Sequence, residues 1–536
     1  MNQRWTCLLP LVAFGVLASV QLFGPPIVGL ADNGDFPRAI GRFGYAQPQD
    51  DREPRLIFAY LAPFYTHQPL SQVRQKSHEF LTSHTLLVAL AVVASRITSP
   101  SGTLFITTMG AVHMAAIFAA LARLLFVTRH LRAHLLFGVA LVLILTDVGY
   151  LAYCNSFFSE PASCIFALWF TAEAIAASRE QALSGKLLAA ALLFICAKPQ
   201  NVPLALPLAC YVYLMPRRSS VRTRLAASTG LLLAAAAVLH SVQPEPKLEV
   251  SYNLLFSAIL PESRDPRADL EAMGMDPELV RFKNTRAWSA DSGFYDEQVR
   301  KALKSSGPAG LAGFYMQRPT RAWRHLTTLF PTATRIRPEC CANFEPSSGL
   351  PPGAQATSFS LWSKLHEQVF GHITKFWLLG LCGILAVHLR RGKPGSCADV
   401  LAVLSALCIT AFLTAAFGDE NEPVKHLYLF NLLSDITLIL LLALCRGSLP
   451  ATSDIESFLA GGSSFAAGCC KVPWFHICVL LDKVIPKAAL VHKQAFENGW
   501  TPSGDLWILF LVHLKVREIK VDCWQGCEES FSSHAD

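Results

Sequence analysis

Asp32 and Asp35 stand three residues apart in Asp32-Asn33-Gly34-Asp35-Phe36-Pro37-Arg38, directly after a first apolar stretch. Two carboxylates at that spacing can meet on one helical turn. There they could deprotonate a hydroxyl, or hold a divalent cation (Mg2+ or Mn2+) together with a substrate phosphate. The plainer reading is a helix start capped by Asp32 or Asn33. Three more polar clusters interrupt apolar sequence. Asn155-Ser156-Phe157-Phe158-Ser159-Glu160-Pro161 puts Glu160 where a span begins, a place the helix dipole also favours. Lys198-Pro199-Gln200-Asn201 puts a lysine in an apolar surround, where it needs a counter-charge or a phosphate, or must snorkel to the membrane surface. Asp419-Glu420-Asn421-Glu422-Pro423-Val424-Lys425-His426 puts two cationic groups beside acids at the entry to the last span. An ordinary surface ion pair is the bland account of that cluster.

One chemistry uses all of these parts: transfer of a sugar from a lipid-phosphate donor. The lipid tail lies in the bilayer and the phosphate at its surface. A cation or metal steadies the leaving phosphate, and a carboxylate takes the acceptor's proton. On this reading Asp35, then Asp32, are the candidate base. Arg38, Lys198, Lys425 and His426 are the phosphate-side or substrate-side groups, Asn155 is a further substrate-binding residue, and Glu160 and Gln200 bind sugar hydroxyls or a metal. Asp147 and Asp435 lie deeper in their spans, where an acid must be paired or line a cavity.

The elements that must position these groups follow from composition. Charged residues make up 16% of the 536-residue chain, against about 25% in soluble proteins. Hydrophobic residues make up 52%. This excludes disordered, collagen-like and coiled-coil chains and an ordinary cytosolic enzyme. The net charge of +7 is spread over many loops, with no basic stripe suited to nucleic acid. Apolar blocks lie near 6–30, 83–97, 104–128, 134–152, 161–177, 186–197, 201–215, 225–241, 371–389, 399–417 and 427–445. The expected fold is an all-α polytopic membrane protein with about 10–11 transmembrane helices and an external loop domain. The first block is too long for a signal-peptide core and lacks a small-x-small cleavage site, so it reads as an uncleaved span.

The basic loops at Arg129–Arg132, Ser178–Lys186, Arg217–Arg224 and Arg390–Lys393 assign the cytoplasmic side, and all four polar clusters then fall on the other face. One parity problem remains. A full crossing at 83–97 would break the alternation, unless residues 55–65 add another. The chain divides into 1–241, a transmembrane module with a first external loop at 31–82; 242–370, an external loop domain; 371–445, the last spans; and 446–536, a tail holding Cys469, Cys470, Cys478, Cys523 and Cys527. A zinc site there, with His476, is a weak reading. Cys7, Cys154, Cys164, Cys196, Cys210, Cys382, Cys408 and Cys445 sit in apolar blocks as small hydrophobes, and adjacent Cys340 and Cys341 would make a strained disulfide. No internal repeat of the transporter kind is visible.

The four clusters in this order, with Lys425-His426-Leu427-Tyr428-Leu429-Phe430-Asn431 as the last, resemble the WsfD-type glycan-biosynthesis hexose transferases. These are similar to the GT-C superfamily of membrane glycosyltransferases. Asn343-Phe344-Glu345, Pro351-Pro352-Gly353-Ala354-Gln355 and Phe359-Ser360-Leu361-Trp362 extend the resemblance, which covers about residues 5–445. It implies an acidic base or metal partner in the first external loop, which Asp32 and Asp35 match. It also implies a polyprenyl-phosphate sugar donor, inversion at the anomeric carbon, a glycan or glycolipid acceptor, and a bacterial inner membrane with the site facing outward. A transporter or flippase of lipid-linked glycans, or a non-catalytic subunit of a glycan assembly complex, are the rival readings. The first predicts repeat symmetry and functional charges near the bilayer midplane; the second predicts a substitution-tolerant acidic motif.

Overall fold

In lipid a backbone must satisfy its own hydrogen bonds, so long apolar runs fold as helices. The computed structural model describes residues 3–48, 59–68, 82–99, 101–215, 217–339, 341–391, 397–418 and 422–447. The cysteine-containing tail beyond Gly447, Cys340, residues 419–421 and residues 55–58 fall outside the described residues.

The long helices are α1 (Gln3–Phe23), then α2 (Phe36–Ile40), α3 (His84–Thr98), α4 (Ile106–Thr128), α5 (His134–Leu145), α6 (Val148–Leu151), α7 (Glu160–Glu180), α8 (Gly185–Ile195), α9 (Ala205–Leu214) and α10 (Val221–Ser241), the second and the sixth being short. After them come α11 (Pro244–Asn253), α12 (Pro266–Ala272), α13 (Glu297–Gln317), α14 (Pro319–Thr328), α15 (Leu361–Arg391), α16 (Cys397–Gly418), α17 (Pro423–His426) and α18 (Tyr428–Gly447). Among the described residues five helices are long and apolar enough to cross a membrane, or six if the bent pair α5–α6 counts as one span. The expected number of crossings is reached only if shorter apolar helices, among them α8 and α18, cross as well. The chain is mostly helical and spans a membrane, as the hydropathy pattern requires.

Burial follows the helical period. In α1, Phe14, Ala18 and Leu22 are buried while Val12, Val16 and Val20 are exposed, so one stripe packs on the bundle and the opposite stripe is left to lipid. Helix α7 is buried nearly all round and sits at the centre of the bundle against α4 and α8. Its one deep acid, Glu173, receives Arg123 of α4 in a two-pronged pair at 2.7 and 3.1 Å. The other intramembrane acids are also partnered. Asp147 stands at the 58° break between α5 and α6 and accepts the amides of Gly149 and Ser363. Asp435 of α18 accepts the Tyr150 hydroxyl at 2.7 Å and the Trp362 indole N–H at 2.8 Å. These two acids therefore join the break, the start of α15 and the last span, and do not line the cavity described below.

The first loop holds a small antiparallel sheet, β1 (Tyr45–Ala46), β2 (Phe64–His67) and β3 (Leu104–Phe105), with Tyr45 opposite His67 and Phe64 opposite Phe105. This sheet bears on the parity problem. Helix α3 leads through a short turn into β3. At its first end the Ser83 amide donates to the Cys196 carbonyl and the Ser83 hydroxyl to that of Leu193, just before Lys198. Both ends of α3 thus lie beside segments that carry the polar clusters or the first loop. Leu87, Val88 and Ala91 turn inward, while Leu86, Leu90, Val93 and Ile97 form an exposed apolar stripe.

Residues 242–360 divide in two. Tyr252, Phe256, Leu270, Val299, Leu303 and Phe314 belong to a second hydrophobic core. Leu329, Ile336, Cys341 and Ala356 instead pack into the main core of the bundle.

Candidate active site

Asp32 is set by an extended run held on two sides. The Gly29 and Ala31 amides donate to the carbonyls of Asn343 and Ala342, and the Leu30 amide donates to that of Asn155. Asn343 returns its side-chain amide to the Gly29 carbonyl at 2.8 Å. Asn155 is fully buried and donates to the carbonyls of Leu22 and Val28, where the chain leaves α1. The extended run then breaks into α2. Asp32 Oδ1 accepts the amides of Gly34 (2.8 Å) and Phe36 (3.0 Å) and so holds the turn before α2, while the N-cap position itself is Asp35, whose side chain makes no capping bond. Gly34 has φ of +96°, a conformation that favours glycine, and this lets the turn deliver Asp35 outward.

The four clusters converge. Lys425 is buried, 5% exposed, and its Nζ donates to Asp35 Oδ2 at 2.8 Å and pairs with Glu422. It also lies 4.9 Å from the centre of the Phe158 ring. Arg38 pairs with Asp35 Oδ1 at 2.8 Å and reaches Glu249 at 3.6 Å. Lys198 donates to Glu160 Oε1 at 2.7 Å. Gln200 donates its amide to the His426 carbonyl, and its Oε1 lies 3.0 Å from His426 Nδ1. Asn33 donates to Glu422. The sequence separation of 390 residues between Asp35 and Lys425 shows that the first and last clusters form one site.

The electrostatics differ between the two aspartates. Burial raises the Asp32 carboxyl to about 6, against the pull of its two backbone donors. Burial also acts on Asp35, but Lys425 and Arg38 outweigh it and hold that carboxyl well below the usual range. Asp35 and Glu422 in turn raise the Lys425 ammonium above its ordinary value, against its burial.

These groups line a cavity of about 1290 Å3. Of the residues singled out from sequence, Asp35, Arg38, Glu160, Lys198, Gln200, Lys425 and His426 are on its wall. Asp32 is not; it sits behind Asp35 and shapes the turn. Asn155 is not either, and is brought instead to the join between α1, α4 and the first loop. Besides these polar groups the lining is partly apolar, with Leu206 of α9, Leu239 of α10 and Leu413 of α16 all substantially exposed.

A family model described as the YfdI N-terminal transmembrane domain matches residues 2–449. The chain belongs to this family. The match covers the whole bundle, the cavity and all four clusters, and the protein is an integral membrane protein. The family description names a membrane architecture and no reaction. No curated protein and no solved structure matches the chain significantly.

A metal held by the two aspartates does not fit this arrangement. Asp35 has Arg38 on one oxygen and Lys425 on the other, so the positive charge such an ion would bring is already supplied by side chains. Among the described residues no group of three or more His, Cys, Asp or Glu is placed to hold an ion. Sequence reasoning missed several contributors to the wall. His84 and Thr85 come from α3, which hydropathy alone marks as one more span, and Arg286 and Trp288 come from the second core. Glu249, the remote partner of Arg38, had no local signal at all.

Proposed function

We propose that this protein is an integral-membrane glycosyltransferase that moves a hexose from a polyprenyl-phosphate donor to a cell-surface glycan or glycolipid. The observation that carries the proposal is the shared cavity. Asp35, Glu160, Lys198 and Lys425, from four distant motifs, face one space whose lining also includes exposed apolar helix. An amphiphile with a phosphate head and a hydrocarbon tail matches both walls. The resemblance to WsfD-type and GT-C enzymes supports the same reading, with inversion at the anomeric carbon. The family's bacterial inner-membrane setting, with the site on the outer face, accords with the basic turns at the opposite ends of the helices.

In the proposed reaction the acceptor hydroxyl attacks the anomeric carbon while the bond from that carbon to the phosphate oxygen breaks. Lys198, Lys425 and Arg38, held at the cavity by their acids, take the developing phosphate charge. Asp35 takes the hydroxyl proton. In the resting site its proton affinity is too low for a good base. A phosphate that draws Lys425 and Arg38 toward itself would raise that affinity just when a base is needed. Glu160 and Gln200 bind hydroxyls of the sugar.

The test is transfer from a lipid-linked hexose in proteoliposomes. Asp35→Asn should lower the rate by about 100-fold or more, the usual worth of a positioned base. Lys198→Ala and Lys425→Ala should weaken donor use. Full activity in both Asp32→Asn and Asp35→Asn would sink the base assignment, and absence of any transfer by the wild type across lipid-linked hexoses would sink the function.

A further inference from the structure

The wall of the cavity that comes from the second core is built around one displayed indole. Trp288 lines the cavity and is 51% exposed. Its turn is not a loose excursion. The Ala287 amide donates to the side chain of Asn253, which is completely buried, at 2.9 Å. The Arg286 amide donates to the Ser289 hydroxyl and the Ser289 amide returns to the Arg286 carbonyl. Tyr252, also completely buried, bonds the Thr285 hydroxyl at 2.6 Å and accepts the Gly293 amide at 2.9 Å. Two buried side chains at the end of α11 therefore pin the turn on both sides of the indole. Arg286, the second cavity-lining residue of this turn, stands two positions away.

An indole displayed from a pinned turn on the wall of a polar cavity offers a flat apolar face at little entropic cost. The axial C–H face of a pyranose ring fits such a surface, and a guanidinium on the same turn supplies donors in a fixed plane for the ring's hydroxyls. Lys198, Lys425 and the apolar helices of the lining come from other elements of the chain than this turn. We propose that Trp288 and Arg286 form a carbohydrate subsite on the acceptor side of the cavity, with Trp288 as the stacking platform for a pyranose. The class of ligand rests on the sugar-transfer reading above; the subsite itself rests on this turn.

The experiment needs no donor. The full chain in nanodiscs is titrated with methyl α-glucopyranoside and methyl α-mannopyranoside, and contact is read by saturation-transfer NMR. The wild type should pass saturation to one face of the ring of at least one glycoside. Trp288→Ala should weaken that binding by roughly threefold to tenfold, the worth of an aromatic contact, and Trp288→Phe should restore most of it. Tyr295→Ala, at an exposed aromatic residue that does not line the cavity, should leave it in place. Unchanged melting temperature in Trp288→Ala excludes a folding defect. No saturation transfer in the wild type, or an equal signal in Trp288→Ala, overturns the inference. So does a Trp288→Ala variant that keeps the glycoside signal and loses binding of undecaprenyl phosphate, since the indole would then belong to the lipid. If glycosides bind through Trp288 but no transfer is ever seen, the enzyme reading fails and the subsite stands.

Discussion

Asp32 and Asp35 look interchangeable as a pair of letters three apart, and they are the clearest case of different fates for similar residues. Asp35 faces the cavity between two cations; Asp32 is 8% exposed behind it, and its Oδ1 takes two backbone donors. The pH dependence separates them. The Asp32 carboxyl is raised from 3.8 to about 6 in the folded protein, so its contribution to stability is fully present below pH 4 and is lost as pH rises through 6. An asparagine there keeps the oxygen that accepts both amides and removes the ionisation. Asp32→Asn should therefore be more stable than the wild type at pH 7, by about 1–3 kcal/mol, and equal to it at pH 4, as read from thermal unfolding across that range. The same variant reports on catalysis. With Asp35 as the base, kcat/KM should show no acidic limb near pH 6; a limb there that disappears in Asp32→Asn would move the role to Asp32.

At the scale of elements, Asn155 shows why a motif residue can matter without touching a substrate. It lies five residues before Glu160 in the same cluster, yet the two part company because a turn and the start of α7 intervene. Asn155 ends among carbonyls of the α1 exit, packed directly on Gly110 of α4. A Cβ at Gly110 would come 1.9 Å from Asn155 Oδ1, whereas one at Gly230 in α10 would meet nothing within 4 Å. Gly110→Ala should therefore cost about 2–4 kcal/mol by displacing a buried, hydrogen-bonded side chain. Gly230→Ala should be neutral or stabilising by about 0.5–1 kcal/mol, as an alanine in a helix interior normally is. Melting of the two purified variants in detergent decides it, and equal effects would mean that the Asn155 join is not rigid. Sequence pattern marked Asn155 correctly as special. It could not tell a structural staple from a cavity wall, because both demand a polar residue at the end of an apolar run.

For the molecule as a whole, hydropathy and charge made the bundle legible: apolar blocks gave the spans, and basic turns sorted the loops into two faces. What they could not show was the behaviour of α3. Its composition is that of a span, and only the structure ties its start to Cys196 and Leu193 and leads its end into the sheet of the first loop. The residues of the second core that reach the cavity were equally hidden, since nothing local in Arg286 or Trp288 announces a neighbour from the first loop. The resulting alternation has a direct test. In a background without reactive native cysteines, Gly34→Cys and Ser101→Cys should react with a membrane-impermeant maleimide from one side of the membrane, and Arg132→Cys from the other. Labelling of Ser101→Cys from the side of Arg132→Cys would make α3 a crossing after all.

The 390 residues between Asp35 and Lys425 also set an order of events during synthesis. At about 5–20 residues per second, the acidic turn is made some 20–80 s before the lysine that will neutralise it. A lone carboxylate could not wait that long in hydrocarbon, but it can at a wetted surface, which is where the exit of α1 delivers it. The nascent chain thus carries Asp35 with Arg38, and Glu160 with Lys198, before Lys425 exists. A chain halted before Glu422 would lack Glu422, Lys425 and His426, so the charged wall of the cavity is complete only once the last span has been made.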